Sequence, residues 1–193
     1  MDIKQAILDQ LSGAAAEKIG AQNGLDGAKT NSAMDSALTA ILSGLQQEAT
    51  SKKRANKLDT AVAADHDGSI LEDLVGAVGS DTTKLDGAKI LGHIFGSKSG
   101  EVADEVAKDS GVSTSAAGDI LTTLAPIVLG QLGKSKKSGG LDAGGLINIL
   151  LGQKSGQGDS GLGDIVSGMA GKKNAGLMAL LFGLFKMFFG KKS

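Results

Sequence analysis

The residues whose spacing most suggests chemistry lie in the stretch DHDGS, Asp65 to Ser69. Oxygen side chains at alternate positions are how a calcium loop begins. Such a loop wants ligands at positions 1, 3 and 5, a glycine at 6 and a bidentate glutamate at 12. Asp65, Asp67 and Ser69 fill positions 1, 3 and 5, but position 6 is Ile70 and position 12 is Gly76. Asp65 and Asp67 are thus candidates for a weak, irregular cation site, to which Glu72 and Asp73 would lend further oxygens. The competing reading is a turn between two helices. In it Gly68 takes the left-handed conformation, Ser69 and Glu72 form a capping box, and Asp67 accepts local backbone N–H bonds.

The other reactive residues are sparse. There is no cysteine, which excludes disulfides, thiolate metal sites and cysteine nucleophiles. The two histidines, His66 and His93, are isolated and read as structural, not as a zinc site or a general base. No phosphate loop or dinucleotide fingerprint stands out among the 30 glycines. EVADEVAKDSGVSTSAAGDIL (101–121) has the rhythm of a helix-turn-helix. Its second helix offers no Arg or Lys and places Asp119 where phosphate would repel it. It therefore reads as two core helices joined by a turn, with Ser113 as N-cap. The chain as a whole holds one arginine, Arg54, and carries a net charge of −1, which argues against nucleic-acid recognition. Neither a catalytic residue nor a cofactor site nor a small-molecule substrate emerges, and a non-enzymatic role is expected.

Chemistry of another kind lies at the end of the chain. From Ala175 to Phe189 every residue except Lys186 is Gly, Ala, Leu, Met or Phe, and Lys172, Lys173, Lys191 and Lys192 bracket the run. As a helix it spans roughly 22 Å, short of the roughly 20 residues that cross a bilayer. Its apolar character nearly all round does not suit a surface helix. Leu177, Leu181, Phe182, Leu184, Phe185, Phe188 and Phe189 are the candidate interaction residues. Three fates are open to it: burial in its own fold, packing against copies of this chain, which is favoured, and insertion into a membrane interface.

The elements that must position these residues are helical. Strand signals are scarce. Met34, Leu38, Ile41, Leu42 and Leu45 mark one helix face, and Gly24 and Gly111 have the setting of helix C-terminal glycines. The spacing predicts helices over 2–12, 14–23, 32–52, 56–65, 70–78, 87–95, 101–109, 114–124 and 126–133, with Pro126 opening a helix or marking a kink. With no Trp or Tyr, and four of the five Phe in the last twelve residues, the body must pack with Leu, Ile, Val and Ala. A faint repeat runs through it. ILDQLSG (7–13) and EKIGAQNGL (17–25) resemble ILGHIFG (90–96) and DEVAKDSGV (104–112), the second copy carrying four extra residues. An apolar helix follows each copy.

Three blocks carry a family resemblance: LDTAVAADHDGSILEDLVG (58–76), DGAKILGHIFG (86–96) and SAAGDILTTLAPIVLGQLGK (115–134). In this order they are similar to the YidB-like family of bacterial proteins, a domain of unknown function, over roughly residues 1–155. The resemblance implies an all-helical fold and brings no catalytic residues and no established activity. The expected architecture is all-α, a multihelical bundle of short helices with a possible internal duplication. It comprises a helical body (1–137), a Gly-rich segment of weak helices (138–171) and a hydrophobic C-terminal helix (172–193). The expected function is a self-assembling structural or scaffold protein whose partner is itself, as homo-oligomer or filament. The alternative is a peripheral protein on a membrane surface. MDIKQAILDQLSG lacks the form of a signal peptide, so the expected location is cytoplasmic, with membrane association under the alternative.

Overall fold

Eight α-helices and two short 3₁₀ turns, with no strand among the described residues, build the body. The computed structural model describes residues 3–139 and Gly145, without the side chains of Lys52 and residues 63–65. The helix expected at 172–193 lies outside the described residues, as does the Gly-rich segment beyond Gly139 apart from Gly145. The helices are α1 (Ile3–Leu11), α2 (Ala14–Asn23), α3 (Gly27–Ala49), α4 (Lys52–Asp65), α5 (Leu74–Ala77), α6 (Asp81–Phe95), α7 (Ser99–Ser110) and α8 (Thr114–Gly139). The 3₁₀ turns are Ser69–Glu72 and Gly96–Lys98.

The two long helices, α3 and α8, pack against each other, and the shorter helices pack around them. Both are amphipathic, so each turn presents apolar side chains to the shared core. Ala33, Ala37, Leu38 and Ile41 of α3 meet the same core as Ile120, Leu124, Ala125, Ile127, Val128 and Leu132 of α8, all fully buried. Aliphatic and alanine side chains do most of this packing, as the composition requires. Each buried Leu or Ile contributes about 1.5–3 kcal/mol of transfer free energy.

The repeat is visible in the backbone. Gly24 and Gly111 both end a helix in the left-handed conformation, at φ 63° and 68°. The next amide reaches back five residues in each case: Leu25 N to Gly20 O at 2.9 Å, and Val112 N to Ala107 O at 3.1 Å. This is the Schellman closure of a helix end. One residue later comes an N-cap. Asp26 Oδ1 accepts from Lys29 N at 2.8 Å, and Ser113 Oγ accepts from Ala116 N at 3.2 Å. Asn23 and Ser110 each donate to the carbonyl four residues back. These pairs are all 87 positions apart. The same shift carries the buried residues Ala33, Met34, Ala37, Leu38, Ile41, Leu42 and Leu45 onto buried residues of α8. The four extra residues of the second copy fall at the 3₁₀ turn before α7.

Several expected helices need correcting: that over 70–78 is instead the 3₁₀ turn Ser69–Glu72 followed, after the non-helical Asp73, by α5. The helices predicted over 114–124 and 126–133 are one: α8 runs unbroken through Pro126. A proline in a helix interior costs about 3 kcal/mol. Pro126 to Gly130 are all buried, so the surrounding core holds this turn helical. α3 also starts earlier than its apolar stripe, at Gly27, because Asp26 caps it.

Candidate functional site

Where α4 gives way to the DHDGS turn, α8 passes directly beneath. α4 ends at Asp65 and the chain reverses at Gly68, whose φ of 97° no β-carbon favours. On the α8 side stand two glycines one turn apart. A Cβ on Gly133 would collide with the His66 carbonyl oxygen, and one on Gly130 with the Ile70 side chain. The approach is reciprocal, since a Cβ on Gly68 would lie 3.0 Å from Lys134 Cβ. The turn is thus seated on bare helix backbone.

Charge fastens it there. Asp67 Oδ1 accepts from the Ser69 amide at 3.0 Å, and Oδ2 accepts from Lys137 Nζ at 2.8 Å. The Lys137 ammonium, followed by the amide and hydroxyl of Ser69, holds the Asp67 carboxyl well below the usual carboxylate range. The neighbouring Lys136 donates to Asp59 Oδ1 at 2.6 Å and to the Asp59 carbonyl at 3.3 Å. Two consecutive lysines in the last turns of α8 therefore hold α4 and the turn that follows it. Their charge also suits the negative end of the helix dipole.

Beside the turn is a polar recess of about 170 Å³. His66, Asp67, Ser69 and Ile70 line it from the turn, Thr82, Thr83 and Asp86 from α6, and Pro126 from α8. The sequence signalled the turn but not its α6 and α8 partners. A KSKK run at a helix end is visible in the sequence, yet nothing local pairs it with carboxylates some 70 residues away.

The capping box expected at Ser69 is not formed. Ser69 opens the 3₁₀ turn and its amide is taken by Asp67, with no side-chain cap. Asp73 does the capping instead, accepting from Gly76 N at 2.8 Å and opening α5. Of the two candidate metal ligands, Asp67 is engaged with Lys137, and the side chain of Asp65 lies outside the described residues. Among the described residues no group of three His, Cys, Asp or Glu side chains is placed to hold a metal ion.

His93 stands exposed on α6, two turns beyond Asp86, so the fold does not bring it to the recess of His66. In the 101–121 segment Ser113 caps α8 as its spacing predicts. Ala116, Ala117, Ile120 and Leu121 of the following helix are buried. α8 is long and apolar enough to cross a membrane by length and composition, but it is the core helix of this body. The candidate interaction residues Leu177, Leu181, Phe182, Leu184, Phe185, Phe188 and Phe189 lie outside the described residues.

A family model described as a bacterial protein of unknown function (DUF937) matches residues 5–135. This agrees with the resemblance carried by the three sequence blocks. No curated protein and no solved structure matches the chain.

Proposed function

We propose, from the premise that this chain belongs to the bacterial family of unknown function DUF937, that it acts by assembling with copies of itself as a structural or scaffold protein. The observation that carries this reading is the run from Ala175 to Phe189, fifteen residues with one charge. A helix of that composition is stable in water only when covered. The body has a closed core of its own: Val75 and Leu85 are the large apolar side chains left exposed among the described residues. Copies of the run, with Phe182, Phe185 and Phe189 at helical spacing, supply one another's cover. A head-to-tail contact that does not close gives a filament, and one that closes gives a ring. No catalytic step and no cofactor enters this role.

The test is the molar mass in solution, by light scattering, of the full chain beside a chain ending at Gly171. A large assembly that falls to monomer on truncation supports the reading. Monomers in both remove it. The lysines that bracket the run favour a second reading, in which it enters a lipid interface with its charges at the headgroups. Flotation with neutral vesicles separates the two, because only insertion carries the protein upward without anionic lipid.

A further inference from the structure

Within residues 3–139 the sequence holds fourteen Lys and Arg residues, and seven of them fall in two short segments, KKRANK (52–57) and KSKK (134–137). The segments are far apart in the chain, and the fold joins them. Lys136 of α8 is bonded to Asp59 of α4, two residues beyond Lys57. Neither segment holds an acid, and elsewhere between residues 3 and 139 acids outnumber bases.

Part of that charge is spent internally. Glu48 pairs with Arg54 at 3.5 Å, Asp59 with Lys136 at 2.6 Å, and Asp67 with Lys137 at 2.8 Å. Lys53, Lys57 and Lys134 stand exposed and form no ion pair among the described residues. Helix-end stabilisation accounts for lysines in the last turns of α8. It does not account for Lys53 and Lys57, which lie in the first turns of α4, where the dipole disfavours cations.

We propose that this basic end docks on an anionic lipid surface, with Lys53, Lys57 and Lys134 as the contacting cations. Exposed lysines are drawn to anionic headgroups by charge, each contributing separately near the surface. A nucleic acid is the less suited polyanion. Its recognition favours arginine forks, and the one arginine here is engaged by Glu48. The lysine-bracketed apolar run of 175–189 adds a second reason to choose lipid, since stable anchoring takes two signals, one apolar and one basic. The proposal goes beyond self-assembly and does not require it.

The experiment is cosedimentation of the full chain with vesicles of phosphatidylglycerol and phosphatidylcholine, and with phosphatidylcholine alone. Wild-type protein is expected to bind the anionic vesicles at least about tenfold more tightly than the neutral ones, and to lose that preference as salt rises from about 0.1 M to 0.5 M. The triple variant Lys53→Glu, Lys57→Glu, Lys134→Glu should lose about tenfold or more in binding. A triple variant of equal charge change elsewhere, Lys29→Glu, Lys89→Glu, Lys108→Glu, should keep most of it. Equal losses in the two variants, equal binding to neutral vesicles, or tighter binding to duplex DNA than to vesicles would each overturn the proposal. The light-scattering mass of the first variant is read alongside, so that a failure to dock is told apart from a failure to assemble.

Discussion

A side chain on Gly87 and the carbonyl oxygen of Thr122 would occupy the same space. That oxygen is the one Pro126 cannot serve, because proline carries no N–H for the carbonyl four residues back. α6 thus comes against α8 at the carbonyl in the interior of α8 that lacks its helical donor. Thr122 and Thr123 also turn their hydroxyls back to the carbonyls of Gly118 and Asp119 in the turn before.

Substituting Gly87 by Ala forces the two helices apart, at a cost of about 1–3 kcal/mol. Gly92, on the same helix, faces open space. There the same substitution should stabilise by roughly 0.5–1 kcal/mol through helix propensity alone. Urea unfolding midpoints of the two variants should therefore move in opposite directions. A shift of the same sign in both would show that α6 does not approach α8 as described.

Asp67 predicts a pH dependence. Its carboxyl titrates lower in the folded protein than in the unfolded chain, because Lys137 and Ser69 hold it charged. The stability it contributes is present above the unfolded value, about pH 4, and is lost as pH falls towards the folded value. Asp67→Asn keeps an oxygen for the Ser69 amide but gives Lys137 no charge. Thermal midpoints of wild type and variant should differ at pH 6, and the gap should begin to narrow as pH falls through about 4 and go on narrowing below it. A constant gap across that range would mean that the ion pair contributes nothing.

The two N-caps predict matched losses. Asp26→Ala and Ser113→Ala each remove an acceptor from the first turn of a long helix, at about 1 kcal/mol. The sites share no partner, so the double variant should show the sum within about 0.5 kcal/mol. Denaturant titration of the three variants measures it directly.

The contact between residues 20 and 30 predicts a strong non-additivity. A Cβ on Gly20 would stand 2.6 Å from Thr30 Oγ1, so Gly20→Ala alone clashes. Thr30→Ala alone removes the bond from its hydroxyl to the Asp26 carbonyl, 2.7 Å long. Together they reproduce Ala107 and Ala117, which hold the equivalent positions of the second copy and are both buried. The double variant should be more stable than Gly20→Ala by about 1 kcal/mol or more. A simple sum of the two losses would refute the equivalence of the copies.

The parts legible in the sequence were those set by neighbours in the chain. Gly24, Gly111 and Ser113 act as C-terminal glycines and an N-cap because those roles depend on residues a few positions away. The 17–25 and 104–112 repeat survives as a backbone correspondence for the same reason. Pro126 does not open a helix, because the core around it outweighs the local rule. Ser69 was misread because Asp67 competes for its amide. Gly87, Gly130 and Gly133 look like punctuation in the sequence but sit inside helices, where another segment needs their missing side chain. No local signal marks such a role, and none pairs Lys137 with Asp67.

The Gly20–Thr30 and Ala107–Ala117 pairs also bear on how the two copies came to differ. Each pair fills its space, and neither exchanges for the other in a single neutral step. From Gly and Thr towards Ala and Ala, the route through the smaller residue at 30 passes a lost hydrogen bond, and the route through Ala at 20 passes a collision. In the reverse direction the glycine must come first. Which substitution this chain tolerates at one position is therefore conditional on what already stands at the other.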